Sequence, residues 1–321
     1  MEGLAPIARR GRMNAWRLPL LLCCWMLVCG NSCSKDDELL SAGEIRPSFS
    51  FSGGFRAGKV SARDLTEASG IAASLRNPDI VWAHNDSGDG PRLFALNTKG
   101  EHVATYYLQG VTPVDWEDMA SAPGRSAAGV EKNYLYLADI GDNPGRRPYL
   151  TIYRIEEPVL PGTARGWTDT VRKEAIDAFF LRYEDGARDA ETFLLDAGSG
   201  KAYIVSKERS GAGLYGFSLP APGDTVLLRR DRTLPYATIT GGDISADGNE
   251  ILLKNYRRLF YWHRTGKESL EQTLSQKAKR LPYVPEPQGE AIGWKKDGSG
   301  FFTLSEEVLG IEAVLYWHRR K

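Results

Sequence analysis

Two short patterns that recur in phase every 50 residues or so predict an all-β chain: a β-propeller of five four-stranded blades, the last completed by a strand from the N-terminal side. The first pattern is an acid at the opening of a strand: Glu67, Glu117, Glu191, Asp243 and Glu290, at steps of 50, 74, 52 and 47 residues. The second is an aromatic strand, plainest in Tyr261-Trp262-His263-Arg264, which returns 55 residues later as Tyr316-Trp317-His318-Arg319. Turns such as Asp247-Gly248-Asn249 and Asp297-Gly298-Ser299-Gly300 fall where a hairpin between the first two strands of a unit needs them.

One unit therefore reads as acid, strand, turn, second strand with a polar end, loop, aromatic strand and usually a fourth strand. The second strands are expected at 80–86, 134–139, 203–208, 251–255 and 301–306, and fourth strands at 103–108, 175–183 and 225–229. The last unit runs out at Lys321 after its third strand. Ser48-Phe49-Ser50-Phe51 is the candidate for the missing strand, which would close the ring and remove its edges. The long step is read as a loop around 158–169; six blades are the alternative, if that unit is two. A β-sandwich, the structural runner-up, leaves the 50-residue period unexplained.

The N-terminus has the parts of an export signal. Arg9, Arg10, Arg12 and Arg17 precede an apolar run at 18–28, and small residues lead to Cys33. Eleven apolar residues are about half of the roughly 20 that a spanning helix needs. The expected organisation is a signal at 1–32, a lipid-bearing Cys33 with a polar tether at 33–46, and a propeller domain at 47–321. Ser34-Lys35-Asp36-Asp37-Glu38 is similar to the tag that follows the lipidated cysteine of surface-exposed lipoproteins in some Gram-negative bacteria. The expected location is the outer membrane, facing the cell surface, with the periplasmic face or plain secretion as alternatives. All four cysteines lie at or before position 33, so the domain has no disulfide, zinc ribbon or thiol nucleophile. From Cys33 onward there are 37 basic and 40 acidic residues, a formal charge of −3, with no basic stripe for nucleic acid. A monomer is expected.

In a propeller the first strand of each blade lines the channel, so Glu67, Glu117, Glu191, Asp243 and Glu290 are expected in one ring near one mouth. Such a ring needs a cation, basic partners, raised pKa values or backbone N–H donors. One reading makes the acids pins between blades; a second makes them ligands of calcium or a cationic ligand; a third makes them catalytic. The ends of the second strands add His84, Asp86, Asp139, Lys207, Lys254 and Glu306 as candidates on the same face, a mixture suited to a polar small molecule, a glycan or an envelope protein. His84 is the histidine best placed for acid–base work, whereas the repeat positions of His263 and His318 point to packing. No Gly-x-Ser-x-Gly, His-Glu-x-x-His or phosphate-cradling motif is present.

Glu67-Ala68-Ser69-Gly70-Ile71 with His84-Asn85-Asp86, and Gln288-Gly289-Glu290-Ala291-Ile292 with Ser305-Glu306, give the chain its resemblance to secreted bacterial propellers of the phytase-like and TolB-like kind, over most of 60–321. Calcium-dependent phytases of that fold hydrolyse phosphate esters with several metal ions; their full ligand set is not matched residue by residue, so binding or recognition is the expected function and a calcium-assisted phosphoesterase the alternative. Five-bladed glycosidases with acids in the channel offer a second analogy.

Overall fold

A computed structural model describes residues 50–126, 128–162, 165–265 and 267–321. The expected export signal, Cys33 and the expected tether, together with Ser48 and Phe49 of the expected closing strand, lie outside the described residues. None of the described helices is long and apolar enough to cross a membrane.

The chain forms a five-bladed β-propeller. β1 (Phe55–Lys59) comes first but belongs to the last blade. Blade 1 is β2 (Ala68–Ala73), β3 (Ile80–Asn85), β4 (Arg92–Asn97) and β5 (His102–Leu108). Blade 2 opens with β6 (Trp116–Arg125), β7 (Glu131–Asp139) and β8 (Leu150–Glu156), makes an excursion carrying β9 (Trp167–Val171), and returns as β10 (Ile176–Tyr183). Blade 3 is β11 (Ala190–Asp196), β12 (Lys201–Ser206) and β13 (Gly213–Ser218), then an excursion with β14 (Thr225–Leu228), then the two-residue β15 (Arg232–Thr233). Blade 4 is β16 (Gly241–Ile244), β17 (Glu250–Asn255), β18 (Arg258–His263) and, after the short helix α1 (Leu270–Leu274), β19 (Lys279–Leu281). Blade 5 is β20 (Ala291–Trp294), β21 (Gly300–Leu304) and β22 (Val314–Arg319), completed by β1 running antiparallel to β22. The first strands β2, β6, β11, β16 and β20 touch one another in a ring around the axis.

Three expectations are corrected. The closing strand is Phe55–Lys59; of the stretch expected to close the ring, the described Phe51 contributes one bridge to Arg320 and is otherwise an aromatic plug, its ring 5.7 Å from both Tyr261 and Trp294. The loop expected at 158–169 runs into β9, which adds in parallel to β5 at the outer edge of blade 1. The stretch 225–229 is not the fourth strand of its own unit, since β14 adds in parallel to β10 of blade 2. Both excursions reach back one blade and cover an edge whose backbone N–H and C=O groups would otherwise be unpaired. Periodicity marks a strand but does not say which sheet takes it.

Apolar burial lies between blades. Trp82 and Leu93 meet Trp116 and Leu135 across blades 1 and 2; Phe179 meets Phe193 and Tyr215 across 2 and 3. Leu214 meets Phe260 and Trp262 across 3 and 4, Tyr261 meets Phe301 across 4 and 5, and Phe302 meets Phe94 across 5 and 1. Each such side chain contributes about 1.5–3 kcal/mol when fully buried, so every blade depends on both neighbours.

The Tyr-Trp-His-Arg repeat is one residue out of structural phase. The hairpins of blades 4 and 5 superpose Ile251 on Phe301, and Ile251 pairs with Trp262 whereas Phe301 pairs with His318. His263 is exposed and His318 is buried, so the two histidines are not equivalent. The true structural pair is Arg264 and Arg320. Each donates to a turn carbonyl of its own blade, Gly248 O and Gly298 O, and to an acid of the preceding blade, Asp196 and Glu250. Gly248 and Gly298 have φ of +74° and +68°, a region that favours glycine.

Glu157 fixes the start of the first excursion. It is fully buried, and its carboxylate accepts from Ser74 Oγ, the Leu75 and Arg76 N–H groups, Asn77 Nδ2 and Trp82 Nε1 of blade 1. Asn77 in turn holds Pro158 O and the Leu160 N–H. Glu157→Ala leaves several buried donors unpaired and is expected to cost about 3 kcal/mol or more. The neighbouring Glu156→Ala, which loses only partly exposed pairs with Arg76 and Lys132, is expected to cost under about 1 kcal/mol. Denaturant unfolding of the two variants checks the contrast.

Candidate functional site

First strands begin, and second strands end, at the same mouth of the channel. In blades 1 to 3 the pairing register slips at the entry of the first strand, between Ala68 and Gly70, Trp116 and Asp118, and Ala190 and Thr192. The residues inside the slips are Ser69, Glu117 and Glu191. A bulge re-aims its side chain, and here Glu117 and Glu191 are brought toward the axis. Glu290, just before β20, joins them from the other side.

Ligand oxygens of Asp86, Glu117 and Glu290 lie within 4.8 Å of one another, and so do those of Glu117, Asp189 and Glu191. Glu117 belongs to both groups and is 2 % exposed. Ser69 Oγ donates to its backbone carbonyl and lies 3.4 Å from its Oε2. A Cβ on Gly141 would stand 2.2 Å from Glu117 Oε1, so a glycine there leaves room for the carboxylate. Lys207 Nζ is paired with Glu191 Oε1 and reaches the Tyr256 hydroxyl at 3.2 Å, while Tyr256 donates to Glu290 Oε1. Glu191 Oε2 and Glu290 Oε2 are buried without a hydrogen-bond partner.

Two carboxylates about 5 Å apart at an effective dielectric near 20 repel by about 3 kcal/mol, so this set is not held fully ionised by one ammonium. Burial, then repulsion from Glu191, Asp86 and Glu290, pushes Glu117 well up. Burial and Glu290 push Glu191 well up, against Lys207. Burial raises Glu290, against Tyr256 and Lys207. On the rim, burial and neighbouring acids push Asp86 and Asp115 to about 6 and Glu306 to about 8. Lys207 is pushed up by Glu191, against its own burial.

The remaining candidates have other work. Asp243 does not join the ring: its carboxylate accepts from the Trp294 N–H of blade 5 and its own neighbour Ile244, and it lines the opposite end of the channel with Ala73, Leu195 and Lys296. Burial pushes it to about 7 against those two donors. Asp118 makes the same pin from blade 2 to the Phe193 N–H of blade 3. Glu67 is exposed at the rim, where its carbonyl accepts from the Asp86 N–H. Asp139 holds the Val114 and Asp115 N–H groups and pairs with Arg147 at 2.7 Å.

His84 is fully buried, with Nδ1 2.8 Å from Asn85 O and Nε2 3.2 Å from Asp118 O. Burial lowers its pKa, and a Cβ on Gly70 would stand 2.4 Å from its Nε2. That sequestered position joins blades 1 and 2 and does not suit acid–base exchange with a ligand. Lys254 is also fully buried; it donates to Gly289 O and lies 3.8 Å from Glu286, so it supports the loop that carries Glu290 and does not face a ligand.

Asp115 and Asp189 belong to the site beyond the residues expected from sequence, and Tyr256 joins them from the polar end of the fourth unit's second strand. The signal for two of them was a doubled Asp-x-Glu, Asp115-Trp116-Glu117 and Asp189-Ala190-Glu191.

No protein-family model and no curated protein matches the chain. Among solved structures it is similar to a luciferin-regenerating enzyme, at 10 % identity and a TM-score of 0.44 over 83 % of this chain and 95 % of that one. It is also similar to a chain of a nidogen/laminin complex, at 12 % identity and a TM-score of 0.43 over 75 % of this chain and 73 % of that one.

Proposed function

We propose that the chain is an envelope lipoprotein, anchored through Cys33, whose propeller binds a polar ligand through a divalent cation held at the acidic mouth. The observation that carries this is the convergence of Asp86, Glu117, Asp189, Glu191 and Glu290, with Glu191 Oε2 and Glu290 Oε2 buried and unpartnered. The donor set fits calcium, a hard cation that takes six to eight oxygens at about 2.3–2.6 Å, so that ligand oxygens on one ion lie up to about 5 Å apart. Three carboxylates leave part of that shell to hydroxyl or phosphate oxygens of a small molecule, a glycan or an envelope protein. Asp86, Glu306 and Glu67 form the rim that such a ligand meets.

A second reading, hydrolysis by a calcium-assisted phosphoesterase or a glycosidase, is favoured by one observation. Glu306, pushed to about 8, carries a proton at neutral pH, while Asp86, at about 6, does not. That is an acid and a base near enough for the charge of one to act on the other. Release of p-nitrophenol from aryl phosphates or glycosides, lost in Glu306→Gln, would favour this reading over binding alone.

Calcium is expected to raise the melting temperature over EDTA at about pH 7.5. At 100 times Kd the gain is about 2.7 kcal/mol, or several degrees for a domain of this size. Glu117→Gln is expected to melt normally in EDTA and lose the response; an unchanged response in that variant would remove the cation reading. Carboxyls whose folded pKa lies above the unfolded value stabilise the fold below about pH 4 and lose that contribution as pH rises through the folded pKa. Without calcium, stability is therefore expected to fall between about pH 5 and 8.5 as Asp86, Asp115 and Glu306 ionise, and calcium is expected to restore it at the alkaline end. Thermal melts across pH, with and without calcium, check the sign. For the anchor, palmitate labelling in a bacterial host is expected and is expected to disappear in Cys33→Ser.

A further inference from the structure

The two carboxylate groups at the mouth are unequal in a way that fixes how many ions they take. The group of Glu117, Asp189 and Glu191 already contains a positive charge. Lys207 leaves the end of β12, pairs with Glu191, bonds the Tyr256 hydroxyl at 3.2 Å, and lies 5.4 Å from the centre of the Tyr256 ring. Its ammonium is thus held between two side chains, Glu191 and Tyr256, and its own side chain is 19 % exposed. The group of Asp86, Glu117 and Glu290 forms no ion pair among the described residues. Glu290, 5 % exposed, has its Oε2 buried with no hydrogen-bond partner, as Glu191 Oε2 has in the other group, so the two groups differ by the ammonium and not by the orphaned oxygen. A buried carboxylate oxygen left unpaired destabilises the fold, and a cation placed among Asp86, Glu117 and Glu290 removes that penalty.

We propose that the chain binds one divalent cation, in the Asp86–Glu117–Glu290 group, and that the Lys207 ammonium is a built-in counter-ion that keeps a second cation out of the Glu117–Asp189–Glu191 group. This rests on the cation reading above and adds its location, its number and the residue that sets the number. The lysine is tethered, so it is present at any calcium concentration. A free ion entering the second group must displace it or sit beside a like charge. Glu117, shared by both groups, is then divided between a bound ion on one side and a protein cation on the other. Tyr256 links the two halves, since it accepts from Lys207 and donates to Glu290.

The experiment is calcium binding by equilibrium dialysis and calorimetry on metal-free folded chain at about pH 8. The expected count is one ion for the natural chain and two for Lys207→Met. It returns to one for Lys207→Met with Asp189→Asn, and Asp86→Asn in the natural chain weakens binding at least tenfold. Two ions in the natural chain, or one in a folded Lys207→Met, overturns the counter-ion role. An ion bound by Lys207→Met but none by the natural chain would show the lysine closing both groups and overturns the single-site assignment. No ion in either chain instead removes the cation reading on which this one stands. Should Lys207→Met fail to fold, anomalous scattering from natural-chain crystals soaked in manganese chloride decides the location. A peak among Asp86, Glu117 and Glu290 supports the assignment, and one among Glu117, Asp189 and Glu191 overturns it.

Discussion

The ladder between β1 and β22 is the constraint on which the rest depends. Five twisted sheets packed face to face bury their apolar residues only if the circle is complete, and blade 5 lacks an outer strand until the N-terminal segment supplies it. Phe51 then fills the gap between blades 4 and 5, among Tyr261, Trp294 and Phe301. With the ring closed, the first strands are held side by side. Asp118 and Asp243 can then reach N–H donors one blade away, and Glu117, Glu191 and Glu290 are forced to share a small space.

Buried acids therefore divide into two kinds, and hydrogen bonding separates them. Asp118, Asp139, Asp243 and Glu157 accept backbone or side-chain donors on their oxygens and hold neighbouring segments together. Glu191 and Glu290 keep an oxygen without a partner in a buried place. A carboxylate that accepts several N–H groups lowers the energy of the fold. One that lacks them raises it.

Much of this was legible in the residues. The repeated acids and Gly-Asp turns gave the five units, the strand order within each, and three of the acids that meet at the mouth. The parallel strands β9 and β14 were not legible, because a strand's own pattern carries no address for the sheet it joins. The exposed, polar Trp167–Val171 could equally have been a loop. The ring of five acids became three because its members differ by one or two positions along their strands. In a strand each such step turns the side chain to another face or moves it along the channel. The same one-residue arithmetic separates His263 from His318 and makes Arg264 and Arg320 the real repeat.

The closing strand also sets how the domain would carry a load. Phe51 pairs with Arg320 and Lys59 with Val314, so the described chain enters on the face opposite the acidic mouth and runs toward it. A pull applied at Ser50 and resisted by something held at Asp86 would act along β1 and not across it. The ladder to β22 would then be sheared, with its hydrogen bonds loaded together, and would not be peeled open one bond at a time. The strand that completes the propeller is thus also oriented to resist, in shear, a load applied between its N-terminal end and the mouth.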